Sequence, residues 1–135
     1  MTRMILTLDL KDDPALIALY RKHHATVWPE VLLSLRRIGV RNMDIYALGR
    51  RLVMVLETAP GFDLTTDFAL HRASDPRCEE WEELMKTLQQ PPPGAPPGLM
   101  WTPMECVFSL SEQLSPERRR PRWTGALRVA EKRRR

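Results

Sequence analysis

The sequence is short of cysteine, of long apolar runs and of the compact motifs that announce cofactor chemistry. Two cysteines in 135 residues, Cys78 and Cys106, make neither a disulfide framework nor a metal cluster, and a reduced cytoplasm is the default compartment. No apolar stretch approaches the roughly 18 residues that a membrane helix needs. Met4–Leu10 is interrupted by Asp9 and lacks a cleavage signature, so no secretory signal is expected. There is no GxGxxG, Walker loop, HExxH, CxxC or Ser/His/Asp hydrolase elbow. Redox, phosphoryl and metal chemistry lose ground on these absences, and cofactor-free proton transfer is left in the strongest position. No internal repeat is visible.

What is present reads as one globular domain with a basic extension. Hydrophobic residues make up 43% and charged residues 28%, the balance of a chain that can bury a core. The net charge of +4 is unevenly spread: residues 1–110 carry 12 basic and 14 acidic side chains, whereas 111–135 carry 9 and 3. The basic character therefore belongs to the end of the chain, and the folded part, being mildly acidic, does not look like a nucleic-acid-binding core. We expect a domain over 1–110 and a solvated, disordered basic tail over 111–135.

Periodicity places the elements. Met4, Leu6, Leu8 and Leu10 alternate as on a strand with one buried face. Asp13-Pro14 has the form of a capped helix start, and Leu16, Leu19 and Tyr20 carry that helix to about His24. Proline disfavours helical geometry at Trp28, so Trp28-Pro29 breaks the chain; a second helix with Val31, Leu32, Leu35 and Ile38 then runs to Gly39. Val40–Leu48 and Leu52–Glu57 flank Gly49-Arg50-Arg51 as a hairpin, and Leu52–Leu56, apolar throughout, is expected to be covered on both faces. Phe62–Ala73 and a stretch from Asp75-Pro76 to about Leu88 are helical, the latter with Trp81, Leu84, Met85 and Leu88 on one stripe. Gln90–Pro103, with half of the twelve prolines, is a loop, and Met104–Leu110 is expected as the last strand. The order predicts an α+β, ferredoxin-like fold: a four-stranded antiparallel sheet with helices on one face. The other face then needs a cover, and a second copy of the chain is the economical one.

Few residues carry chemistry. Tyr20 and His24, four apart, share a face at the end of the first helix. A neutral imidazole accepts a proton and its cation donates one near neutrality, and a phenol beside it can orient a hydroxyl-rich ligand. His23 is expected in solvent, and His71, late in the third helix, is read as structural. Trp28 and Trp81 are apolar plates suited to core packing or to stacking on a sugar ring. Glu30, at a helix start, suits the helix dipole. Asp44 and Tyr46 alternate with Met43 and Ile45 on a strand, and the pattern does not decide which pair would line a pocket.

Taken together, Tyr20-Arg21-Lys22-His23-His24 and Trp28-Pro29-Glu30 resemble the Y-x-x-x-H-x-x-x-W-P-E signature of the L-rhamnose mutarotase family. Asn42–Tyr46 and Trp81–Met85 resemble further blocks in the same order, so the resemblance spans about residues 3–110 and leaves the tail outside. It implies a homodimeric α/β-barrel of two ferredoxin-like protomers, and interconversion of the α and β anomers of a 6-deoxy-L-sugar without a cofactor or metal. By position it implies His24 as catalytic acid/base, with Tyr20 and Trp81 on the sugar; Trp28, read from its chemistry rather than by position, would offer the sugar a further apolar face. Tyr20 and Asp44 remain candidates for a second proton-handling group. The rhamnose branch would have tyrosine where this chain has Met43, and tryptophan where it has Glu82; both positions contact sugar in that branch. Gln89-Gln90-Pro91, Pro97-Gly98, Trp101 and Met104-Glu105 look instead like the L-fucose branch, although Lys86 and Gly94 stand where aromatics are usual there. L-fucose is the expected substrate and L-rhamnose the next.

Two rival readings keep the fold and change the function. A cofactor-free monooxygenase acting on an aromatic substrate is one, because unrelated chemistries share this architecture. A nucleic-acid-binding module is the other, prompted by the arginine-rich tail. Sheet-based RNA binders stack bases on strand aromatics, and Leu52–Leu56 offers none. No specific nucleic acid and no membrane are expected as partners.

Overall fold

A computed structural model describes residues 2–116, so the tail expected over 111–135 lies, from position 117 onward, outside the described residues. Strand β1 (Thr2–Leu10) leads to helices α1 (Pro14–Ala25) and α2 (Pro29–Ile38), then the hairpin β2 (Val40–Leu48) and β3 (Arg51–Thr58). Helices α3 (Leu64–Ala73) and α4 (Pro76–Lys86) follow, then two-residue strands β4 (Gln89–Gln90) and β5 (Thr102–Pro103), and a short α5 (Leu110–Leu114). The sheet order is β2-β3-β1-β4, with β5 also on β1, and every pairing is antiparallel. This is the expected α+β arrangement.

Local chemistry sets the helix ends. Asp13 accepts from the Ala15 N–H at 2.9 Å and Pro14 opens α1; Asp63 and Asp75 cap α3 and α4 in the same way, accepting from the Thr66 and Arg77 N–H groups at 2.7 Å. Helix α2 stops at Gly39, whose φ of 108° lies in the left-handed region, and its N–H donates to the Arg36 carbonyl at 3.2 Å. On α2 the buried positions are Val31 and Ser34, while Leu32, expected on the inner stripe, is exposed.

The helices cover one sheet face. Leu6 and Leu8 of β1 pair with Met54 and Leu52 of β3, the Leu10 N–H donates to the Arg50 carbonyl at 2.7 Å, and the three leucines of β1 are buried beneath the helices with Leu52, Met54 and Leu56. The opposite face carries Ile5, Val53 and Val55, which are only half-buried. Among the described residues the helices cover one face of β3, and the cover expected on its other face is a second copy of the chain. A β-bulge between Val40 and Asn42 resets the alternation of β2. Val40 points to the helices, and without the bulge Asn42, Asp44 and Tyr46 would follow it. With the bulge, Met43 and Ile45 turn inward opposite Leu56 and Met54, and Asp44 and Tyr46 join the uncovered face.

The last strand differs from expectation. The open edge of β1 is paired in two short pieces, by Gln89–Gln90 at Asp9–Leu10 and by Thr102–Pro103 at Leu6–Thr7. Met104–Leu110 is not a strand: pairing ends just after β5, with the Met104 N–H on the Ile5 carbonyl at 2.7 Å. Residues 105–109 are irregular and α5 begins at Leu110, its N-cap Ser109 accepting from the Glu112 N–H at 3.4 Å. Alternating apolar residues become a strand only where a partner edge is available.

Replacing Gly39 tests the α2–β2 junction. A Cβ there would meet Ala59 and Phe62 at an ordinary 3.6 Å, so the cost is conformational rather than steric. Gly39→Ala is expected to destabilise by about 1–2 kcal/mol in urea titrations; an unchanged midpoint would remove the left-handed cap from the account.

Candidate functional site

Between the sheet and the helices lies a cavity of about 350 Å³, at the small end of the roughly 300–1,000 Å³ typical of ligand sites. Its floor is apolar: Leu6, Met43, Ile45 and Met54 from the sheet. Tyr20 and His24 of α1 form one wall, and Phe68, His71 and Arg72 of α3 with Trp81, Glu82 and Met85 of α4 form others. Gln89, Leu99 and Trp101 complete it beside β4 and β5. The structure thus brings together His24, Tyr20, Trp81 and Met43, which the sequence places on three separate elements.

His24 is held in one tautomer. Its Nδ1 lies 3.0 Å from the Tyr20 carbonyl one turn back; a carbonyl only accepts, so Nδ1 carries the proton and Nε2 keeps a lone pair. Burial lowers its pKa below the ordinary 6.5; the Tyr20 carbonyl pushes the other way and neighbouring His23 adds to the lowering. The imidazole stacks on the Tyr20 ring at 4.0 Å between centroids and 25° between planes, and meets Trp81 edge-on at 5.2 Å. His23, expected in solvent, is half-buried with its ring edge toward Trp81 at 6.3 Å.

The Tyr20 hydroxyl is buried and finds no hydrogen-bond partner among the described residues, on a side chain only 4% exposed. A phenol kept from water in this way loses about 1–3 kcal/mol unless something in the cavity pairs with it. Burial also raises its pKa, so it stays protonated.

Trp28 does not line the cavity. Its ring meets Trp81 at 5.1 Å and 73°, and the Arg77 guanidinium lies 3.6 Å above its centroid, so it backs the Trp81 plate from behind. Glu30 pairs with the same Arg77 at 3.7 Å. Asp44 lies on the uncovered face, accepting from the Asn42 amide at 3.1 Å. Sequence reasoning noticed Glu82 only as a departure from the rhamnose branch; it is half-buried on the cavity wall, and burial raises its pKa. His71, read as structural from the sequence, is buried and also lines the cavity. No local spacing announces it, since its partner Ser34 is 37 positions away. No cluster of three metal-ligating side chains occurs among the described residues, nor any helix long and apolar enough to cross a membrane.

Known proteins resemble this chain. A family profile described as L-rhamnose mutarotase matches residues 3–110. An L-fucose mutarotase of Xanthomonas campestris pv. campestris is 41% identical over 117 residues, covering 85% of this chain and 93% of that protein. An L-rhamnose mutarotase of Leptothrix cholodnii is 28% identical over 100 residues, 73% of this chain and 88% of its own length. The crystal structure of an L-rhamnose mutarotase from Formosa agariphila superposes with a TM-score of 0.58 over 82% of this chain and 99% of that one; at 19% identity it shows the fold alone. With the profile matched over most of its length and the Xanthomonas protein so similar, this chain belongs to the L-rhamnose mutarotase family.

Proposed function

We propose that the protein interconverts the α and β anomers of a 6-deoxy-L-hexose without a cofactor, acting on L-fucose first and L-rhamnose next. The observation that carries this reading is His24: a neutral imidazole of fixed tautomer, on the wall of a monosaccharide-sized cavity, stacked on a phenol whose hydroxyl has no partner among the described residues. The choice of L-fucose rests on the higher identity to the fucose enzyme and on Met43 and Glu82 at the two positions where the rhamnose branch has aromatics. Residues 1–110 form the mutarotase domain in this reading, and 111–135 extend beyond it.

The chemistry is proton transfer around one bond. His24 Nε2 takes the proton of the anomeric hydroxyl while the C1–O5 bond breaks, giving the open-chain aldehyde, and the imidazolium returns that proton to O5. Rotation about C1–C2 turns the other carbonyl face to O5. The O5 hydroxyl gives its proton back to His24 as the ring closes, and the imidazolium reprotonates O1. The Tyr20 hydroxyl, protonated throughout, hydrogen-bonds the sugar. Trp81 offers a flat apolar face to its C–H surface, and Met43 lies under the apolar side of the ring. Trp28 supports Trp81 from behind.

A homodimer fits the sheet. Ile5, Val53 and Val55 form an apolar strip on the face that the helices leave open, with Tyr46 beside Val53 on β2. A second copy packed there closes the α/β-barrel of the family.

Four outcomes test this reading. His24→Ala should slow anomer exchange of L-fucose, read by saturation-transfer proton NMR, on the order of 10²- to 10⁴-fold; a folded variant with unchanged turnover removes His24 from the mechanism. The base must be neutral, and its pKa is lowered, so wild-type kcat/KM should hold as pH falls through 6.5 and decline only below it. An acid limb at or above 6.5 contradicts the burial argument. Tyr20→Phe should raise stability to urea by about 1 kcal/mol while weakening sugar binding; a loss of stability would reveal a structural partner for the hydroxyl. Finally, Val55→Asp should convert a dimer in sedimentation velocity to a monomer, and a wild-type monomer would refute the sheet-face interface.

A further inference from the structure

His71 is the cavity imidazole to which the proton-transfer scheme assigns no task. It lies on α3 with 2% exposure, and a closed set of hydrogen bonds fixes its ring. The Ser74 hydroxyl donates to the His71 carbonyl at 2.7 Å, so toward Ser34 it can only accept, at 2.8 Å. Ser34, its proton spent there, accepts from His71 Nδ1–H at 2.7 Å. Nδ1 therefore carries the proton and Nε2 keeps its lone pair. No described residue hydrogen-bonds Nε2, and Phe68 braces the ring edge-on at 6.2 Å and 90°. Burial lowers the pKa, so the ring is a neutral acceptor rather than a cation.

A fixed, buried acceptor selects among hydroxylated ligands, because a ligand without the matching hydroxyl leaves the nitrogen unpaired. L-fucose and L-rhamnose share their 6-methyl group and differ in configuration at C2 and C4. We propose that His71 Nε2 accepts a hydrogen bond from the C2 or C4 hydroxyl of the bound sugar and so determines which 6-deoxy-L-hexose is turned over. This rests on the mutarotase reading above. Ser34 and Ser74 are positioning residues that act through the imidazole. His24 handles the proton exchanged between O1 and O5, and His71, on a different helix, reads the configuration elsewhere on the ring.

The test is anomer exchange of L-fucose and its 2-, 3- and 4-deoxy analogues by wild type and His71→Asn. Asparagine keeps an N–H where Nδ1 stands, facing Ser34, and deletes the acceptor at Nε2. For L-fucose and the 3-deoxy sugar, kcat/KM should fall on the order of 10- to 100-fold, mostly through KM. For either the 2-deoxy or the 4-deoxy sugar, the one lacking the partner hydroxyl, the two proteins should differ less than about twofold. Equal losses on all four sugars would mean a packing role and overturn the proposal, as would no loss or a loss relieved only by the 3-deoxy sugar. If His71→Asn does not fold, Ser34→Ala releases the ring while leaving Nε2, and must show a smaller loss with the same analogue dependence. Wild type that accelerates none of the sugars would bring down the mutarotase reading itself. Acceleration by wild type with uniform losses in the variants would bring down only the role of His71.

Discussion

The hydrogen bond from the His24 imidazole to the Tyr20 carbonyl, one turn back on α1, decides which proton chemistry the cavity can support. An imidazole free to rotate would present either nitrogen; this one presents Nε2. The bond exists because α1 starts where Asp13 and Pro14 put it and is still helical at position 24, one residue before its end. Beyond it, the Trp28-Pro29 break returns the chain so that Trp28 meets Trp81 and Trp81 meets His24. The series Tyr20, His24, Trp81, Trp28 and Arg77 is a continuous stack and edge contact that fixes the imidazole from both sides. Removing any plate loosens the nitrogen to which the proposed reaction assigns the proton transfer.

One physical cause sets the electrostatics of the whole cavity. Burial penalises whichever form of a group is charged, so it pushes His24 and His71 down and Tyr20 and Glu82 up. The shifts differ in sign, yet all favour the neutral side chain. A site lined in this way suits an uncharged, hydroxyl-rich ligand and penalises a phosphorylated one. Arg72 is the exception on the wall, and Glu79 and Glu83 engage its guanidinium.

The helices were legible because their signals are local. Asp-Pro at α1 and α4 and Gly39 after α2 act through neighbouring backbone groups, and those helices begin or end where the residues stand. The sheet was legible to the extent that it is continuous: β1, β2 and β3 fall where alternation puts them. The bulge at Val40/Asn42 was not, because an extra residue leaves the composition of a strand unchanged while inverting its faces. That is why the inward side of Met43–Tyr46 stayed undecided. The last strand misled for a related reason, since Met104–Leu110 has the pattern but not the partner edge. His24 and Tyr20 were legible through their spacing and motif. His71 was not, because its meaning depends on serines from α2 and from the end of α3 that meet only in the folded chain.

The distribution of polarity around the cavity constrains how a sugar sits in it. The sheet floor of Leu6, Met43, Ile45 and Met54 offers no hydrogen-bonding side chain, so for the proposed 6-deoxy-L-hexose the 6-methyl group and the C–H face belong there. Hydroxyls must point to the helices, where the unpartnered Tyr20 hydroxyl, the Glu82 carboxyl and His71 Nε2 are found. Had Met43 and Glu82 been the two aromatics of the rhamnose branch, the pocket would hold its ligand more by stacking, which tolerates changes in hydroxyl configuration. On the proposed reading, a thioether and a carboxyl in place of two plates move discrimination from shape to hydrogen bonding. The latter is stricter, since a misplaced hydroxyl forfeits its own bond and leaves a buried protein atom unpaired.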